Sequence, residues 1–321
     1  MLYYTVHHTT RFRYSAPITE SVMEVRIQPR SDGFQHCLDF RLSTSPKAHI
    51  MSYRDALGNR VHNFDIPNRH SHLTITAEAL VEVTTPPDIP AALSPSAWEE
   101  LDAMTADDEY WDVLKPSHFA QPGALLYDLM RELDVRRRDD PLTVLRDLNV
   151  AIYKHFEYAK QNTHVDSPID DALRIRRGVC QDFAHIMIAL ARELHIPCRY
   201  VSGYLFHQPN DRQDRSAIGA THAWIEAFLP ELGWVGFDPT NNTVAAERHI
   251  RVAVGRDYAD VPPTQGIFRG KAESKLSVSV HVLPAEVPSI GNEIFLESDW
   301  ITISADDHEH EEQSQWQQGQ Q

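Results

Sequence analysis

Three residues in this chain have the types and spacing for nucleophilic chemistry: Cys180, His222 and Asp238. Cys180 sits in Arg177-Gly178-Val179-Cys180-Gln181-Asp182-Phe183, and apolar residues recur at Phe183, Ile186, Met187, Leu190 and Leu194. That spacing predicts a buried helix with the cysteine in its first turn. Unpaired N–H groups and the positive end of the helix dipole favour an anionic sulfur there, the reactive form. Position alone leaves a second reading open, a buried structural cysteine. That reading is the expected one for Cys37 and Cys198.

A thiolate nucleophile needs an imidazole nearby to handle protons as a thioester forms and breaks. His222 lies in the alternating run Thr221-His222-Ala223-Trp224-Ile225-Glu226-Ala227-Phe228. Leu229-Pro230-Glu231-Leu232-Gly233 then leads into Trp234-Val235-Gly236-Phe237-Asp238-Pro239, and the two runs predict an antiparallel hairpin. In a register pairing even positions with even, His222 and Asp238 share a face near the open end. The carboxylate would then accept the second imidazole N–H, fix the tautomer and stabilise the imidazolium. A one-residue bulge would break that parity, and the pair also has a purely structural reading. Other histidines are weaker: His185 falls on a different helix face from the thiol, and His195 sits at the helix end. His7, His8, His70 and His72 show no metal-ligand spacing.

The elements that position these residues are visible in the flanking pattern. Residues 2–85 read as β structure, with Tyr4-Val6, Phe12-Tyr14, Val22 to Ile27, Leu38-Phe40-Leu42, Leu73-Ile75 and Val81-Glu82-Val83 alternating between turn clusters. A sandwich or small barrel is expected, and Pro86-Pro87 and Pro90 mark its end. From Ser94 to Glu157 the pattern is helical. Ser96 is placed to cap a helix with Glu99 completing a capping box. Leu125, Leu126, Leu129 and Leu133, then Val144, Leu145, Leu148, Ile152 and Phe156 after Pro141, keep three-to-four spacing. Strands follow near 199–206, 221–229 and 233–238, and Leu276 to Val282 alternates again. The end, from Asp306 through His308 and His310 to Gln321, is too polar to fold alone.

The chain has 321 residues, 46 acidic against 30 basic, and a formal charge of −16. Such a surface repels phosphate backbones and anionic lipid, so neither nucleic acid nor membrane is an expected partner. The N-terminus lacks a signal-peptide pattern and no apolar run reaches membrane-spanning length. Three cysteines without a CxxC pair suit a reducing compartment, so a cytoplasmic location is expected.

Four blocks now carry a resemblance. Gly178-Val179-Cys180-Gln181-Asp182-Phe183-Ala184-His185, Pro197 to Tyr204, His222-Ala223-Trp224-Ile225-Glu226 and Gly233 to Thr240 together resemble the bacterial transglutaminase-like superfamily. His249 to Pro263 is similar to that family's continuation, and Ser21–Arg30 with the Tyr53–Asn59 turn resembles its N-terminal β domain. Thr221 stands where relatives often carry serine. The resemblance implies a papain-like transglutaminase core of the α+β class, a cysteine-bearing helix packed on an antiparallel sheet, preceded by an all-β N-terminal domain. It also implies a triad of Cys180, His222 and Asp238.

The expected organisation is an N-terminal β domain at 1–85, a helical linker region and the start of the core at 86–157, a transglutaminase-like catalytic core at 158–265, a C-terminal β extension at 266–305 and a disordered tail at 306–321. The expected chemistry is thiol-dependent acyl transfer on a peptide or protein substrate. Hydrolysis of peptide, isopeptide or amide bonds is the first reading; joining glutamine side chains to primary amines and a non-catalytic scaffold are the alternatives. The Cys180 backbone N–H would meet the oxyanion, with Tyr158 or Gln181 as a further donor. Gly178 would let backbone approach the substrate, and Trp224 and Trp234 would wall the cleft unless they are core. Residues 208–219 would form a loop over that cleft. No cofactor and no metal is called for, and a homo-oligomer is possible but not indicated.

Overall fold

The computed structural model describes residues 1–106, 108–160, 166–208, 214–286 and 314–315. The call of a disordered tail, and the His308/His310 pair within it, lie outside these residues apart from Ser314–Gln315. Six strands come first: β1 Leu2–Ile18, β2 Glu20–Val25, β3 Gln35–Ser45, β4 Met51–Arg54, β5 Arg60–Ile66 and β6 His70–Val83. Helices α1 Ala97–Met104, α2 Trp111–Leu114, α3 Ala124–Glu132 and α4 Pro141–His155 follow. Next come β7 Glu157–Tyr158, α5 Ile169–Ile175, β8 Arg177–Gly178 and α6 Cys180–Glu193. The chain continues through β9 Cys198–Leu205, β10 His222–Leu229, β11 Gly233–Asp238, β12 Thr243–Val244 and β13 His249–Gly255. β14 Thr264–Arg269, β15 Ser274–Ala285 and the short β16 Ser314–Gln315 close the described chain. The fold is mixed α and β with antiparallel main sheets and an all-β N-terminal region.

β1 and β6 are longer than their sequence runs suggested, each spanning two of the alternating segments. β6 buries Leu73, Ile75, Ala77, Ala79, Val81 and Val83 in strict alternation. Its first half shares a core with Phe12, Met23, Phe64 and Ile66, sealed between one sheet of order β16-β15-β1-β6-β3 and another of order β14-β2-β5-β4. Its second half, with Tyr4 and Val6, joins the core around α4 and α6. The two long strands therefore tie both hydrophobic cores together. β14 and β15 return to this region, pairing with β2 and β1 across more than two hundred residues of sequence.

Two local expectations fail for identifiable reasons. Ser96 precedes α1, but its side chain makes no cap; its hydroxyl donates instead to the Glu100 carboxylate at 2.6 Å, so no capping box with Glu99 forms. Leu38 is 47% exposed because a bulge between Cys37 and Asp39 in β3 leaves it unpaired and turns it outward. Asp140, by contrast, caps α4 by accepting the Leu142 and Thr143 N–H groups at 3.0 and 3.1 Å, ahead of the N1 proline.

The core sheet has order β12-β11-β10-β9-β13, and α6 packs across it. Every residue of α6 from Gln181 to Arg192 is buried. A helix enclosed on all sides cannot tilt or slide, which fixes its first residue, Cys180. β13 lies at the sheet edge, where exposed N–H and C=O groups need cover. Two side chains from the N-terminal region act as a partner strand. Asn59 bridges the Val254 N–H and C=O, both at 2.8 Å, and Gln35 does the same for Arg251 at 2.8 and 2.9 Å. Among the described residues no helix is long and apolar enough to cross a membrane.

Phe183 is fully buried in α6 against Phe156, and Ile267 on β14 is 70% exposed. Phe183→Ala should cost about 3–5 kcal/mol of unfolding free energy in a denaturant titration, and Ile267→Ala about 0.5 kcal/mol or less. Similar losses for the two would refute this account of the core.

Candidate active site

The site is built where α6 begins. Val179 is extended and its N–H donates to the Asp182 carboxylate at 2.8 Å, so Asp182 folds back over the helix start. A Cβ at residue 178 would stand 2.6 Å from that carboxylate oxygen and 2.9 Å from the Asp182 Cβ. Gly178 is therefore required by the helix start itself, a correction to its expected role in admitting substrate backbone. β7 runs parallel to β8, placing Tyr158 beside Gly178, and the Ala159 N–H donates to the Gly178 carbonyl at 2.9 Å. The strand pair thus brings Tyr158 next to the cysteine turn.

The hairpin has the even-to-even register, Glu226 opposite Gly236 and Phe228 opposite Trp234, with no bulge between β10 and β11. His222 and Asp238 fall on one face, and the His222 Nε2–H donates to Asp238 Oδ2 at 2.7 Å. Both are almost inaccessible, at 3% and 0% exposure. Asp238 is a hydrogen-bond hub. Oδ2 also accepts from Asn241 Nδ2 at 2.7 Å and from His249 Nε2 at 3.2 Å, while Oδ1 accepts the Thr240 and Asn241 N–H groups at 3.0 and 3.2 Å. Asn241 is itself fixed, its Oδ1 accepting the Arg215 and Ser216 N–H groups and its Nδ2 donating to Ser216 Oγ. The described end of the 208–219 segment is thereby pinned to the site.

Charge follows from this geometry. Burial works against an imidazolium at His222, but the Asp238 charge and hydrogen bond outweigh it, with a smaller push from Cys180, and raise the ring to about 10. Burial likewise opposes ionisation of Asp238, yet His222 and then His249 hold it far below the usual carboxylate range. His249 goes the other way: burial lowers it and Asp238 only partly compensates, so it remains neutral. The Ala246 N–H donates to His249 Nδ1 at 3.3 Å, which fixes the tautomer with Nε2–H toward Asp238. His222 Nδ1 is buried with no hydrogen-bond partner. Since Nε2 is committed to Asp238, Nδ1 is the position left to serve Cys180. The thiol itself is part-exposed.

The remaining sequence candidates separate. Tyr158 is close enough to feel the Cys180 charge, and burial, first, with that charge, pushes its hydroxyl well above the usual value, so it stays a proton donor. Gln181 is buried at the second position of α6. Trp224 is fully buried; its ring packs 5.9 Å from His222 and 5.1 Å edge-on to His249, in space left by Gly203 and Gly236. It supports the imidazoles from behind and is core, the second of the two readings its sequence allowed. Trp234 is half-buried under the Arg199 guanidinium, 4.1 Å from its ring. His185 stacks on Phe119 at 5.3 Å and accepts the Tyr258 N–H, away from the thiol as expected. His249, Asn241 and Ser216 were missed: His249 reaches Asp238 from another strand, Asn241 from the turn three residues on, and Ser216 only through Asn241, so the short Asp238–Asn241 spacing was the one local cue.

Among the described residues, His222, Asp238 and His249 offer ligand atoms within 4.8 Å of one another. Those same atoms already bond to each other and to Asn241, so a cation could enter only by breaking the hub. Two cavities lie nearby. One of about 140 Å³ is walled by Trp224, Trp234, Pro86 and Pro87 and has no Cys180 in its lining. The other, an open cleft of about 920 Å³, likewise has no Cys180 in its lining but includes Tyr158, the strand partner of Gly178.

Comparison with known proteins places this geometry. The profile of the bacterial transglutaminase-like N-terminal region matches residues 4–82, and that of the transglutaminase-like superfamily matches residues 129–239. An uncharacterised protein of Mycobacterium tuberculosis is 35% identical over 305 residues, covering 88% of this chain and 93% of that protein. A protein-glutamine gamma-glutamyltransferase of Pseudomonas aeruginosa is 30% identical over 169 residues, 50% of this chain but 22% of that one. In fold, the chain is similar to the crystal structure of a candidate cysteine protease from Cytophaga hutchinsonii, with a TM-score of 0.72 and 23% identity over 89% of this chain and 91% of that one.

The raised His222 value has a pH consequence. A base whose folded value lies above its ordinary 6.5 contributes stability that is complete below 6.5 and lost as pH climbs toward about 10. The melting temperature of wild type minus that of His222→Gln should therefore shrink steadily from neutral pH to pH 10. A difference that stays flat or grows would show that the ring is not held as an imidazolium.

Proposed function

The chain belongs to the transglutaminase-like superfamily, and from that premise we propose that it is a thiol-dependent acyl-transfer enzyme with Cys180 as nucleophile, His222 as proton carrier and Asp238 as orienting carboxylate. The observation that carries the reading is the 2.7 Å bond from His222 Nε2 to a fully buried Asp238, with Nδ1 left unpartnered beside the first residue of α6. The Cys180 sulfur attacks the carbon of a carboxamide or peptide carbonyl while the imidazolium supplies a proton to the departing nitrogen. A thioester and ammonia or an amine result. His222, now neutral, takes a proton from the incoming water or amine, and the thiolate leaves as the second acyl product forms. The oxyanion is met by the Cys180 N–H, which has no intrahelical acceptor, and by a second donor. Tyr158 suits that role better than Gln181, because its protonated hydroxyl lies within reach of the Cys180 charge.

Hydrolysis of peptide, isopeptide or amide bonds is the preferred outcome, since Cys180 is part-exposed and Tyr158, beside the cysteine turn, lines an open, polar cleft that water can enter. The transferase outcome has its own support in the gamma-glutamyltransferase similarity, which covers 50% of this chain. A peptide or protein is the substrate in either case, with no role assigned to nucleic acid or membrane. We place the enzyme in the cytoplasm on the strength of three free cysteines.

A glutamine-containing peptide should release ammonia or be cleaved by wild type, and Cys180→Ala should abolish this. Added primary amine giving an adduct at the expense of the acid would move the assignment to transferase. Asp238→Asn should lower kcat on the order of 10³–10⁴-fold by presenting the wrong tautomer. A loss below about ten-fold would show that Asp238 does not orient the base.

A further inference from the structure

The cleft that starts at Tyr158 carries a charge opposite to that of the molecule. On a chain of formal charge −16, its lining holds Lys154, Arg176, Arg177 and Arg215 against a single carboxylate, Glu157. Arg177 is neutralised by Glu157 at 2.8 Å, and Arg176 by Glu132 outside the lining at 2.5 Å. Lys154 and Arg215 have no carboxylate partner among the described residues. Arg215 lies over the Tyr153 ring at 3.5 Å and donates to the Tyr153 carbonyl at 2.7 Å, which holds its guanidinium at the cleft.

Arg176 points the same way. It ends α5 in the left-handed conformation, φ 55° and ψ 35°, where glycine is the usual residue and any other is strained. One of its guanidinium nitrogens, Nη1, is buried without a hydrogen-bond partner. A strained cation with an unused donor, two unpaired cations beside it and a phenol next to the thiol make a cleft suited to an anion.

We propose that the acyl donor is an acidic peptide, and that a carboxylate within a few residues of the attacked carbonyl is held in this cleft by Arg215, Lys154 and Arg176. The proposal rests on the acyl-transfer reading above and names its substrate class. Planar carboxylate suits the Arg215 guanidinium, with Lys154 as a point charge and Arg176 Nη1 as one further donor. Screening shortens the reach of these charges to about 8 Å at physiological salt and about 3 Å at 1 M. The preference is therefore local to the site and dependent on salt.

Alkylation of Cys180 tests the charge without knowledge of the substrate. The ratio of the iodoacetate rate to the iodoacetamide rate, followed by peptide mass mapping, should exceed that of free cysteine by about ten-fold at low salt. It should fall towards the free-cysteine value at 1 M salt, in Lys154→Gln and in Arg215→Gln, while Arg215→Lys should retain most of it. Glutamine peptides flanked by glutamate should likewise show a higher kcat/KM than those flanked by glutamine, with the advantage lost in Lys154→Gln. Fast iodoacetamide labelling with a ratio insensitive to salt and to both charge-removing variants would overturn the acidic-peptide proposal and leave the thiolate reading standing. Labelling of Cys180 by iodoacetamide no faster than that of Cys37 or Cys198 would overturn both.

Discussion

The site depends on a carboxylate sealed from water. Asp238 is 0% exposed, and an isolated charge in such a place costs several kcal/mol. It is stable only because five donors converge on it, from His222, His249, Thr240 and, through both backbone and side chain, Asn241. Those donors come from β10, β13 and the turn after β11, so three separate segments must arrive in register before the carboxylate can be buried at all. That requirement gives the N-terminal region a physical task. Asn59 and Gln35 complete the hydrogen bonding of β13, the edge strand that delivers His249, and so hold one side of the hub in place. Catalytic geometry and the docking of the β region on the core are thus coupled through one strand.

Two histidines share the carboxylate, and they cannot both be cations, since adjacent like charges in a dry site repel strongly. The structure resolves the competition by asymmetry. His222 has the shorter bond and the thiol as neighbour, and is raised; His249 has the longer bond, a tautomer fixed by the Ala246 N–H, and is lowered. A neutral His249 fills a lone pair of Asp238 without cancelling its charge, so the full negative charge still acts on His222. Replacing it with a cation would weaken the very pair it supports.

The helix bearing Cys180 and the hairpin bearing His222 and Asp238 were legible because their signals are local: a 3.6-residue apolar repeat, and a period of two on either side of a Pro-Glu-Leu-Gly connection. His249 was not, since nothing within its own run distinguishes an inward-facing strand histidine from one that bonds a distant aspartate. The return of β14 and β15 to β2 and β1 is hidden for the same reason, the partners lying more than two hundred residues apart. Gly178 was read as room for a ligand when it is room for Asp182, a distinction that depends on a side chain's direction rather than its identity. Leu38 was read in an alternating run with Phe40 and Leu42, and a bulge takes it out of the pairing. Trp224 could be read as cleft wall or as core, and its full burial against two imidazoles makes it core.

The overall charge of −16 and the basic cleft act in opposite directions on an anion, and distance decides which prevails. At physiological ionic strength charges more than about 8 Å away are largely screened, so most of the acidic surface acts on an approaching anion only as a diffuse repulsion. Inside the cleft, Lys154 and Arg215 are in direct reach of a bound anion, closer than that screening distance. On the proposal of an acidic acyl donor, the global charge would lower unproductive binding, and the local charge would set the orientation in which the acyl group meets Cys180.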